Sequence, residues 1–132
     1  LATQNSKLVS CLRKRDLLND PNGDENRLIR EGERFLEEGF LMDALNCFSR
    51  ARHTEGLEAV WSAAVESGDT FVCIAAGQIL GRTAPEVWRH VGEKALEAGK
   101  LFFARSAFEK AGDLRQVEEM TKRIQEGGFG KG

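Results

Sequence analysis

The chain has 132 residues, of which 41% are apolar and 30% charged, and its net charge is −2. That length suits one domain burying roughly two thirds of the surface its unfolded form would expose, and that balance excludes a disordered or membrane-embedded chain. A near-neutral charge gives no global pull toward nucleic acid. The three cysteines, Cys11, Cys47 and Cys73, are an odd number without a CxxC. They suit reduced thiols in a cytoplasmic protein better than a disulfide framework. The longest apolar run, 71–76, is far too short to span a bilayer, and the N-terminus lacks the order of a signal peptide. A start at Leu1 rather than methionine suits a processed or excised piece.

Apolar positions three and four apart, punctuated by glycines and by Pro21 and Pro85, predict an all-α chain of seven or eight short helices. In chain order they cover 6–19, 26–38, 41–52, 55–67, 70–80, 85–98, 101–111 and 113–126. The first carries Arg13, Lys14 and Arg15, which read as a solvated face, with an electrostatic contact to RNA or another acidic partner as the alternative. Next comes "DPNGDENRLIRE", residues 20–31, whose Asp20, Asn22, Asp24 and Glu31 stand at calcium-loop spacings. Glu25, however, occupies the position that needs glycine, and Arg27 the one that needs an aliphatic residue. A capping turn uses every residue instead: Asp20-Pro21 stops one helix, Asn22-Gly23 turns, and Asp24 caps the next. Beyond it, loops of one to four residues force successive helices into antiparallel hairpins.

Internal repetition carries the architecture. "GERFLEEGFLMDALNCFSRA" (32–51) returns as "GEKALEAGKLFFARSAFEKA" (92–111), sixty residues later. Gly32/Gly92, Leu36/Leu96, Gly39/Gly99, Ala44/Ala104, Phe48/Phe108 and Ala51/Ala111 recur in register. A more degenerate hairpin, "WSAAVESGDTFVCIAAGQIL" (61–80), lies between the copies, with Gly68 at its turn and Cys73 as its small residue. Each recurring residue has a mechanical reading. Gly32 and Gly92 let two helices cross closely, and Gly39 and Gly99 supply the left-handed conformation that ends a helix. Ala44 and Ala104 are small where helices meet, and Phe48 and Phe108 fill the gap beside them.

At these residues the chain resembles the tetratricopeptide repeat family. In "EVWRHVGEKALEAGKLFFARSAFEKA" the match covers Trp88, Val91, Gly92, Gly99, Ala104, Phe108 and Ala111; the first copy has Leu28 and Glu31 at the first two of those positions. Both copies lack the family's closing proline and are shorter than its standard unit, so a related α-solenoid hairpin is the alternative. The resemblance implies stacked antiparallel hairpins in an α-α superhelix. The expected layout is one domain over 1–132: an N-terminal helix and turn (1–23), hairpins at 24–54, 55–83 and 84–112, a C-terminal helix (113–126) and a flexible tail (127–132).

Chemistry has little to stand on. His53 and His90 have no nucleophile partner in any motif, Cys47 and Cys73 fall on buried sides of helices, and Met42 and Met120 form no stripe. The tail "GGFGKG" is not followed by the helix a phosphate loop needs. No enzyme activity, cofactor or metal is expected. A stacked-hairpin surface offers binding instead. The resemblance places partner contacts on the first helix of each hairpin, lining a concave face. Those positions are Asn26, Ile29, Glu33, Leu36 and Glu37, then Glu55, Glu58, Ser62, Val65 and Glu66, then Glu86, Arg89, Glu93, Leu96 and Glu97. Mostly carboxylates, with Asn26 and Arg89 as exceptions, they lack the set of lysines, asparagines and arginines with which the family's carboxylate-clamp members grip acidic C-termini. The expectation is a protein-interaction module for a protein or peptide of basic character, with no membrane contact and nucleic acid disfavoured. The alternative is a structural subunit of a larger helical-repeat assembly.

Overall fold

Residues 24–127 are described by the structure, a computed structural model, and among them there are seven helices and no strand. They are α1 (Glu25–Glu37), α2 (Leu41–Arg50), α3 (Thr54–Ser67), α4 (Thr70–Leu80), α5 (Pro85–Glu97), α6 (Leu101–Ala111) and α7 (Leu114–Gly127). Every boundary lies within two residues of the expected one. The expected helix at 6–19, the start of the 20–31 turn and the end of the tail lie outside the described residues. Consecutive helices pack as hairpins, an architecture compatible with a helical repeat. By contact the chain divides into two compact units, one up to Val60 and one from Trp61, the division falling inside α3.

The helix ends are built alike. At Gly39, Gly68, Gly99 and Gly112 the backbone is left-handed, with φ of 84°, 70°, 76° and 73°. The glycine N–H bonds back three residues, and the next N–H bonds back five, as in Phe40 N–H to Phe35 O at 2.8 Å and Lys100 N–H to Ala95 O at 2.9 Å. This closes the carbonyls that a helix end leaves open. The first copy makes the turn that matches Gly112 with Arg52, at φ 54°. The starts of α1 and α4 are capped by acids, Asp24 accepting Asn26 N–H at 2.9 Å and Asp69 accepting Val72 N–H at 3.1 Å, whereas α2, α5 and α6 start without a side-chain cap. Asp24 is thus the cap that the 20–31 stretch predicted.

In the unit up to Val60, Phe48 of α2 is 1% exposed and lies on two glycines. A Cβ on Gly32 would stand 2.7 Å from the ring, and one on Gly56 would be closer still. Ala44, Cys47 and Leu45 are buried beside it on the same helix, and Leu28 of α1 packs against Ala51.

The unit from Trp61 repeats the device. A Cβ on Gly92 would lie 2.7 Å from Phe108, which sits with Ala95, Ala104 and Met120 in one buried cluster. Trp88, 1% exposed, donates its indole N–H to Arg82 O at 3.0 Å and meets Trp61 edge-on at 5.6 Å. The Lys110 ammonium stands 5.1 Å over the Trp88 ring. Buried Thr70 donates its hydroxyl to Phe103 O at 2.8 Å, tying the start of α4 to α6. Gly68 serves twice, because a Cβ there would also come within 2.9 Å of Ala95 Cα.

Two substitutions test this packing. Helix propensity alone would make Gly92→Ala favourable by about 1 kcal/mol. The collision with Phe108 should instead cost about 1–3 kcal/mol, giving a net loss in denaturant melts. That loss should shrink when Phe108→Leu is already present, since contacting sites couple. Arg52→Gly should raise stability by about 0.5–1 kcal/mol, because relieving a left-handed non-glycine residue outweighs the added chain entropy.

Candidate functional site

The expected binding positions lie on α1, α3 and α5, and the structure sorts them by accessibility. On α1, Glu33 and Glu37 are exposed one turn apart, with Leu36 half-buried beside them. On α5, Glu93, Glu97 and Leu96 repeat that arrangement with the same exposures. Asn26, Glu55 and Glu86 are exposed, Glu58 is half-buried, and Ile29 packs partly on the Leu28–Ala51 contact. On the later half of α3, Ser62 and Glu66 are exposed.

Val65 departs from its expected role. It is 6% exposed, so its side chain belongs to the interior and offers a partner almost no apolar surface. The reason is its place one turn before Gly68, where α3 must come within contact distance of α5.

Electrostatics also differ from a plain row of carboxylates. In the unit from Trp61, Lys94 of α5 places its ammonium 3.5 Å from Glu66 and 3.8 Å from Glu97. Arg89 is held 3.4 Å from Asp113, the residue that also caps α7 by accepting Gln116 N–H. In the other unit Arg34 stands 3.8 Å from the buried Glu31 of its own helix. Such pairs at the surface each contribute about 0–1 kcal/mol and are screened by salt, but each cation offsets one of the nearby negative charges. Lys94 is the group that reading the positions missed. Its spacing to Glu97 was visible in the sequence, whereas its contact with Glu66 needed α3 and α5 to be brought together.

Groups with reactive chemistry stay apart. Cys47 and Cys73 are fully buried free thiols. His53 lies against the Phe48 ring at 5.6 Å, and His90 is exposed on α5. Among the described residues no group of three or more His, Cys, Asp or Glu side chains is placed to hold a metal ion. None of the described helices is long and apolar enough to cross a membrane. Burial pushes the Cys73 thiol up to about 12 from its ordinary 9.0, with the negative charge of Asp69 adding to the effect.

No family model matches the chain, and neither the curated proteins nor the solved structures hold a match to it.

The Cys73 shift has a measurable consequence. Below about pH 9 the thiol is protonated in both folded and unfolded chains, and its contribution to stability is complete. As pH rises from there toward 12, the unfolded chain loses this proton while the folded one keeps it. Stability should therefore fall by up to about 1.4 kcal/mol per pH unit from this group. Denaturant midpoints of parent and Cys73→Ala between neutral and alkaline pH should show the shallower alkaline decline in the variant.

Proposed function

We propose that this chain is a tetratricopeptide-like helical-repeat module, without catalysis of its own, that binds a partner protein or peptide through the exposed side chains of its first helices. The observation that supports it is the recurrence of Glu33–Leu36–Glu37 as Glu93–Leu96–Glu97, exposed in the same way on both complete copies. A position that only had to be soluble could hold any polar residue; a half-buried leucine flanked by two exposed carboxylates repeats a chemistry. It favours a partner with lysines or arginines around an apolar anchor. Leu36 and Leu96 provide the apolar contact, and Val65 has no part in it. Because Lys94 offsets Glu66 and Glu97, the attraction is modest and salt-sensitive. The buried free thiols suit a reducing compartment, which supports a cytoplasmic setting for the module.

A second reading, a structural subunit of a larger assembly, is favoured by the exposed aromatic rings Phe40, Phe71 and Phe102. On α7 the exposed residues Arg115, Glu118, Lys122, Arg123 and Glu126 offer such an assembly a charged rather than an apolar face.

The experiment is a titration of a Lys/Arg-rich peptide with leucine anchors against the parent and a variant in which Glu33, Glu37, Glu93 and Glu97 are all glutamine. Glutamine keeps the helix propensity, so the variant should stay folded. Weak binding at low salt, lost in the variant and at high salt, is the expected result. Equal binding by both proteins, or preference for an acidic peptide, would overturn the binding reading.

A further inference from the structure

Helix α4, TFVCIAAGQIL, carries no charged residue, and a helix apolar all round is ordinarily buried all round. This one is not. Its inner side, Thr70, Val72, Cys73, Ala76 and Gly77, is buried. Its outer side exposes Phe71 by 63% and Ile79 by 47%, with Ile74 and Ala75 half-buried between them. With Gln78 these follow three-and-four spacing, so they make one stripe about 12 Å long.

The sister helices act as an internal control. At the matching positions α6 has Phe102, Arg105, Ser106, Glu109 and Lys110, and α2 has Met42, Leu45, Asn46, Ser49 and Arg50. Hairpins of the same construction thus end this face in polar and charged residues. The apolar, uncharged version on α4 is not required by the hairpin's own packing. It is also larger than α4 alone. Thr70 is bonded to Phe103, so Phe71 and the 62% exposed Phe102 stand next to the two bonded residues, on adjoining turns of α4 and α6. On α6 the Phe102 ring is bordered by half-buried Arg105, whose guanidinium lies 5.5 Å over it and also donates to Thr121 Oγ1 of α7 at 3.4 Å, and one turn on by exposed Glu109.

We propose that this surface binds a second copy of the chain about a two-fold axis perpendicular to α4. Such an axis sets α4 against its mate in the reverse direction, and α6 likewise. An uncharged stripe meets its own copy without like-charge conflict. Reversal brings Phe71 toward Ile79 of the partner subunit, aromatic against aliphatic. On the border the same operation sets Arg105 against Glu109 of the partner subunit and Glu109 against Arg105 of the partner subunit. A border of one sign would repel its copy; one bearing both signs a single turn apart is complementary to itself. This surface shares no residue with the carboxylate positions of the binding reading, so the two stand or fall separately.

The test is the molar mass of the full chain by sedimentation, from micromolar to several hundred micromolar, with circular dichroism as the check on folding. The parent should pass from one chain to two. Ile79→Asp, at an exposed position, should keep its helicity and weaken association at least about tenfold, and Phe71→Ser should do the same. Arg105→Glu and Glu109→Arg should each weaken the dimer, and the two together should restore it, a rescue that only a self-complementary border gives. The quadruple Glu→Gln variant should dimerise as the parent does. A chain that stays monomeric throughout, a dimer indifferent to Ile79→Asp, or a double swap no better than the singles would overturn the proposal. So would a monomer that takes up an amphipathic helix of another protein on this stripe.

Discussion

Phe48 and Phe108 stand at the same place in two hairpins, and each ring occupies space that a side chain at Gly32 or Gly92 would need. That contact sets the distance between the two helices of a hairpin. Once the backbones are this close, neighbouring positions must be small, and Ala44 and Ala104 are both fully buried. Ala95 joins Ala104, Phe108 and Met120 in one cluster for the same reason. Close-packed interiors tolerate neither a void nor an extra methyl at such a crossing, so one large residue dictates several small ones. The middle hairpin solves the problem differently. Gly77 lies against Trp61 and Trp88, and two indoles take the space a single phenylalanine fills elsewhere.

Turns finish what the crossing begins. A helix leaving the crossing must reverse within two or three residues, and the left-handed glycine with its backward pair of hydrogen bonds does this with no side-chain partner. Because the motif is local, it survives divergence of everything around it. Arg52 shows the limit of that tolerance, holding the geometry at a position where Gly112 holds it without strain.

The surface follows from the same frame. First helices turn alternate carboxylates outward, but bringing α3 against α5 at Gly68 also brings Lys94 to Glu66 and buries Val65. One close approach therefore changes both the charge and the apolar content of a face. Second helices have the opposite history. α2 and α6 carry charge on their outer sides and α4 carries none, a difference the hairpin itself does not explain.

Helices, turns and the repeat were legible in the sequence because each depends on neighbours a few residues away. Apolar spacing placed the helices to within two residues, glycines marked the left-handed turns, and the sixty-residue recurrence paired Gly32 with Gly92 and Phe48 with Phe108. The identity of the cap at Asp24 was readable on the same local grounds. Contacts between elements were not. A heptad-like pattern gives the phase of a buried face but not its depth, so Val65 was indistinguishable from the half-buried Leu36 and Leu96. Nor does spacing along one helix reveal an ion pair with another, as between Lys94 and Glu66 or Arg89 and Asp113. The sequence by itself determined the hairpins, since their signals are local. Only tertiary structure decided which side chains a partner could reach, because burial and charge pairing depend on what another helix brings to the same place.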